Sequence, residues 1–85
     1  MFSGDAVNVK MRFNNKLINV VIDRFGRDLM LIPDGDDHFT FVANVVVSPM
    51  YFSWIFGFGQ DAQILYPESV VQQMKQHCQD TLAMY

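Results

Sequence analysis

Residues 54–67 read WIFGFGQDAQILYP. A tryptophan and two phenylalanines crowd two glycines, a polar step follows, and a short strand-like run stops at proline. Glycine at 57 or 59 ends a helix, because it tolerates the positive φ with which a chain leaves a helix and turns back. Ala62 to Tyr66 then forms a strand, with Ile64 and Tyr66 returning an apolar face to the core. Pro67 begins a further helix. Trp54 and Phe58 stand at helical spacing, so they are expected in the core above a sheet. The glycines are no phosphate loop, since they follow a helix instead of opening one and bring no lysine. The stretch is a joint between two packed elements, and Trp54, Phe58, Gly59 and Pro67 are its structural residues.

Upstream of this joint, Ser48 and Pro49 give a helix its N-cap and first residue. His38 to Val47 is the longest strand, and Phe39, Phe41, Ala43, Val45 and Val47 share one of its faces. PDGDD at 33–37 is a turn, and Leu29 to Ile32 before it is a short edge strand ended by proline. Asn14 or Asn15 caps a helix reaching Phe25, with Gly26 as its stop. From Val7 to Phe13, apolar residues alternate with Asn8, Lys10 and Arg12, the period of a half-buried strand. Downstream, Val70, Val71, Met74, Cys78, Leu82 and Tyr85 line one stripe of a helix running from Pro67 to the end. In that helix Ser69 and Gln72 have capping-box spacing, although a helix beginning at Pro67 places the true cap earlier.

The element order β-α-β-β-α-β-α predicts an α+β, ferredoxin-like split βαβ fold. Its four-stranded antiparallel sheet carries helices on one face and leaves the other open to water or a partner. At 85 residues the chain is one domain, spanning 7–85, in which folding buries roughly 60% of the unfolded surface. Residues 1–6, MFSGDA, have no periodicity and read as a linker or an engineered start.

Hydrophobic residues at 51% and charged residues at 18% mark a globular chain. The longest uncharged stretch, Phe39 to Gln60, is broken by turn residues, so no membrane span is expected. No secretory signal follows Met1. The lone Cys78 suits a reducing cytoplasm. A net charge of −3 disfavours a freestanding nucleic-acid binder.

The open sheet face is expected to show Asn8, Lys10 and Arg12 beside Thr40, Val42 and Asn44. Lys10 and Arg12 suit a phosphate, a nucleotide or an acidic surface; the plain alternative is a solvated strand. Phe39 and Phe41 have the aromatic-x-aromatic spacing with which RNA-recognition motifs stack bases on this topology. The basic residue and glycine that accompany such pairs are replaced by DDH and Thr40, so burial is the simpler account. No catalytic set, metal site or cofactor site is evident. His38 and His77 stand apart without metal-ligand spacing, Asp34, Asp36 and Asp37 occupy a turn without the glutamate of a calcium loop, and Cys78 lies on an apolar stripe. The chain is read as no enzyme.

WIFGFGQDAQILYPE, followed by a helix ending in tyrosine, resembles the C-terminal extension (WCX) domain of WYL-domain bacterial transcriptional regulators. Trp54, Ile55, Phe56, Gly57, Phe58, Gly59, Ile64 and Pro67 carry that pattern. VNVKMRF resembles the family's opening strand, and PDGDDHFTFVANVVVSP its hairpin, long strand and helix start. The Trp-Tyr-Leu motif and a helix-turn-helix are absent from the sequence. The resemblance implies a non-catalytic regulatory, effector-sensing and dimerising module. Its partners would be the WYL and helix-turn-helix domains of a parent chain, its full-length form a homodimer, and its effector a nucleotide or short nucleic acid. DNA would be read only through the missing domain. The same context makes the Arg12 face an inter-domain or subunit contact. Two other classes stay open: a single-strand nucleic-acid binder like an RNA-recognition motif, and a small-molecule-sensing domain appended to an enzyme.

Overall fold

The computed structural model describes residues 6–85. Of the segment expected as a linker, 1–5 lies outside the described residues, and Ala6 already belongs to the first strand. The elements are β1 (Ala6–Asn14), α1 (Ile18–Phe25), β2 (Ile32–Asp34), β3 (His38–Val46), α2 (Pro49–Phe56), β4 (Ala62–Tyr66) and α3 (Glu68–Leu82). The strands form one sheet in the order β2-β3-β1-β4 with every pair antiparallel. This is the α+β split βαβ arrangement that the element order predicts.

β1 lies at the centre, and its period-two pattern divides the sheet. Val9, Met11 and Phe13 are fully buried, and opposite them in register stand Ala43, Phe41 and Phe39 of β3, also buried. Val21 of α1, Tyr51, Phe52 and Ile55 of α2, and Val70 of α3 close over that face. All three helices therefore cover the same side. Phe13 is the hub: the rings of Phe41, Trp54 and Phe58 lie 5.4, 5.8 and 5.8 Å from its own. Trp54 meets Phe58 edge-on at 5.1 Å, and the Arg24 guanidinium covers its ring at 4.9 Å. The joint at 54–67 is thus packed as expected. Its two glycines differ, however. Gly57 is helical at φ −61° and needs no special freedom, whereas Gly59 turns the chain at φ +63°.

The caps follow the sequence. The Asn14 side chain accepts from the Lys16 amide at 3.0 Å and starts a 3₁₀ turn, Asn15–Leu17, that leads into α1. Ser48 Oγ accepts from the Tyr51 amide at 3.2 Å, with Pro49 opening α2. The buried Tyr51 hydroxyl donates to Met11 Sδ at 3.2 Å, and burial pushes its phenol well above the ordinary tyrosine range.

Three expectations are corrected, and one alternative is decided. The second strand lies at Ile32–Asp34 and not at Leu29–Ile32, because Leu29 and Leu31 turn into the core as loop residues. Pro33 within it is tolerated since β2 is an edge strand. Tyr66 faces away from the core: a bulge between Lys10 and Met11 pairs Ile64 with Met11 but Tyr66 with Lys10, so Leu65 is the extra residue and the alternation reverses. The capping-box spacing at Ser69 goes unused, since the cap lies earlier in the chain, as a helix beginning at Pro67 implies. Pro67 occupies the N-cap, and Gln72 Nε2 instead donates to Glu68 Oε2 at 2.6 Å. Finally, the apolar stripe of α3 is only half used. Val70 is buried and Val71 and Met74 pack on the core, but Leu82 and Tyr85 are exposed. The helix has 15 residues against five in β4, about 22 Å against about 17 Å, so it outruns the sheet.

Candidate functional site: the open sheet face

The face turned away from the helices is built by the other half of each alternation. Across β1 and β3 the register sets Asn8 opposite Asn44, Lys10 opposite Val42, and Arg12 opposite Thr40. β2 adds Ile32 beside Thr40, and β4 adds Gln63 beside Arg12 and Tyr66 beside Lys10. The four residues expected as contacts, Asn8, Lys10, Arg12 and Asn44, are therefore gathered on one surface.

They are not equivalent. Asn44 Nδ2 donates to Asn8 Oδ1 at 3.0 Å, which ties β3 to β1 at one end of the face. Arg12 Nε donates to Asp34 Oδ2 at 2.6 Å, reaching over β3 to the edge strand. Its side chain is 35% exposed, so the pair is partly screened and holds the strand edge with modest energy. Among the described residues Lys10 is the cation of this face without an ion pair.

Lys10 also stands in apolar surroundings. Met30, Ile32, Val42, Val46 and Tyr66 are all exposed large hydrophobic residues, and four of the five lie on this face by register or alternation while Met30 borders it. With Lys10, residues Met30, Ile32, Thr40, Phe41 and Val42 line a cleft of about 290 Å³, in which Thr40 is 7% exposed. Pockets that enclose a small ligand start at about 300 Å³ and bury most of it. A cleft at that lower limit, open along an apolar sheet, suits a protein surface better than an enclosed molecule. Exposed apolar area with a polar rim is the mark of an interaction site.

Sequence reasoning missed Met30, Ile32, Tyr66 and Asp34 as parts of this surface. Ile32 and Tyr66 depend on the shifted edge strand and on the bulge. Asp34 becomes the partner of Arg12 only through the register of three strands, which no local pattern encodes. Phe39 and Phe41, the pair that base stacking would need on the open side, lie in the core with their rings 5.8 Å apart.

Among the described residues no group of three or more His, Cys, Asp or Glu could hold a metal ion, and no helix is long and apolar enough to cross a membrane. Cys78 lies half-buried between α2 and α3 beside Ser53, Phe56, His77 and Thr81.

The order of elements, the Trp54–Pro67 joint and the single covered face form one framework, and the sequence matches the WCX domain family over residues 5–82. The chain belongs to the WCX domain family. The match takes in every strand and helix described above and stops at Leu82, where α3 ends. Membership links the chain to WYL-type transcriptional regulators, and WCX is a regulation-associated family and not a known catalytic one. Comparison with curated proteins and comparison with solved structures each found no match.

Proposed function

We propose that this WCX domain is a non-catalytic regulatory module of a WYL-type transcriptional regulator, acting in the cytoplasm and docking on the adjoining domain through its open sheet face. Lys10, Arg12, Asn8 and Asn44 form the polar part of that contact, and Val42, Ile32 and Tyr66 the apolar part. The observation that carries this reading is Lys10, an ion-pair-free cation set among exposed apolar side chains. Such a patch favours an apolar partner surface that presents a carboxylate. The partner in this reading is the WYL domain of the same regulator, and the family link to WYL-type regulators supports it. DNA is then read by a helix-turn-helix elsewhere in that regulator, and the effector, a nucleotide or short nucleic acid, is held mainly by the WYL domain. The effector acts by binding one inter-domain arrangement better than another, a population shift that alters DNA affinity. The module also contributes contacts to a homodimer of the regulator.

Calorimetric titration of the WYL domain of the same regulator with this chain tests the docking. Lys10→Glu and Val42→Asp are expected to weaken binding roughly 10- to 100-fold, as for central interface positions. Full affinity in both variants would remove the open face from the contact.

A further inference from the structure

The two edges of the sheet are built differently. β2 is a three-residue strand containing Pro33 and Asp34, both features that discourage a further strand from pairing. β4, the opposite edge, reads Ala62-Gln63-Ile64-Leu65-Tyr66, without proline or charge. It pairs only with β1, so its outer row of peptide groups has no strand partner among the described residues. Its bulge at Leu65 lies toward the end and leaves the first part regular.

An apolar groove runs beside this edge. Ala62, Ile64, Val71 and Met74 line a space of about 210 Å³ between β4 and α3, with Gln63 and Lys75 at its rim. Val71 and Met74 therefore stand alongside Ile64. Glu68 and Lys75 lie one heptad apart, on a common stripe of α3 that brackets Val71. The two ends of that stripe carry opposite charge, and Lys75 makes no ion pair among the described residues.

We infer that a second copy of this chain pairs along β4, strand against antiparallel strand, about a two-fold axis at Ile64. That axis exchanges the ends of the α3 stripe, so Glu68 of one copy approaches Lys75 of the second copy, and the reverse. A two-fold contact must be self-complementary; Glu68 and Lys75, set on either side of the axis, meet that condition. In this pairing Gln63 of one copy stands opposite Leu65 of the other. The result is one eight-stranded sheet with its helices on one side. The open faces remain free for other partners. This inference rests on the dimerisation part of the function proposed above and names its surface; it is independent of the docking of the open face.

Sedimentation velocity of the 85-residue chain over a concentration series, from micromolar to millimolar, tests it. A monomer–dimer equilibrium is expected. Glu68→Lys and Lys75→Glu should each raise the dissociation constant about tenfold, since each turns two attractions into repulsions. The double variant Glu68→Lys/Lys75→Glu should return it to the starting value. That rescue also excludes misfolding as the cause of the single losses. Mixing Gln63→Cys with Leu65→Cys chains under oxidising conditions should give a mixed disulfide in preference to either symmetric one. A dimer that ignores both charge reversals overturns the β4 surface while leaving dimerisation in place. A chain that stays monomeric throughout overturns the pairing, whereas the dimerisation reading is tested separately by the mass of the full-length regulator, and neither result bears on the open face.

Discussion

The two faces of the sheet share strands and a hydrogen-bond ladder yet have opposite physics. On the covered face Val9, Met11, Phe13, Phe39, Phe41, Ala43 and Val45 are all buried against helices. On the open face the neighbouring residues are Asn8, Lys10, Arg12, Thr40, Val42 and Asn44. A face meant only for water would be polar throughout. This one alternates polar residues with exposed Val42, Ile32 and Tyr66. The difference teaches that the first face specifies the fold, and that the second leaves large apolar side chains exposed without compromising that fold.

Adjacent residues of β1 give the sharpest test. Phe13→Ala removes the ring on which Phe41, Trp54 and Phe58 converge. It should cost about 3–5 kcal/mol, a large part of the stability of a domain this small; urea unfolding measures it. Much smaller loss would mean that the hub is not the centre of the core.

Tyr51 shows the same division through pH. Its buried phenol is held above the ordinary value of about 10, so above that pH the unfolded chain gives up a proton that the folded chain keeps. The contribution is present in full below pH ~10 and is lost as pH rises beyond it. Unfolding curves at pH 9 and 11 should show this loss, and Tyr51→Phe should flatten it.

At the joint, Gly59→Ala should destabilise by about 1–2 kcal/mol because φ is +63° there. Gly57→Ala should be near neutral, since φ is −61° and an added Cβ meets only the Ser53 and Trp54 carbonyl oxygens at 3.4 Å. Thermal unfolding of the two variants separates them, and equal losses would show that both glycines are needed for conformation.

The smallest effect belongs to the open face. Arg12→Ala should change stability by less than about 1 kcal/mol, and less again in high salt, because its pair with Asp34 is half in water. A larger, salt-independent loss would make Arg12 a structural residue of the open face.

What could be read in advance follows the range of the interactions. β1 and β3 were legible because alternation is local, and that pattern correctly placed Asn8, Lys10, Arg12 and Asn44 together. Ser48, Pro49 and Gly26 were legible because capping involves near neighbours. The second strand lies further along than the pattern suggests because Leu29 and Leu31 look like a strand's apolar residues but serve the core from a loop. The face of Tyr66 is not legible in its own segment because a bulge exists only in relation to the strand beside it. The link from Arg12 to Asp34 spans 22 positions and three strands, beyond any periodic signal.

The contact role of the open face is tested most directly by mapping chemical-shift changes in this chain, isotopically labelled, on addition of the WYL domain from the same regulator. The account predicts the largest changes at Lys10, Arg12, Ile32, Val42 and Tyr66, with Val21, Phe52 and Val70 on the covered side little affected. Changes confined to α1, α2 and α3, or none at saturating partner, would contradict it.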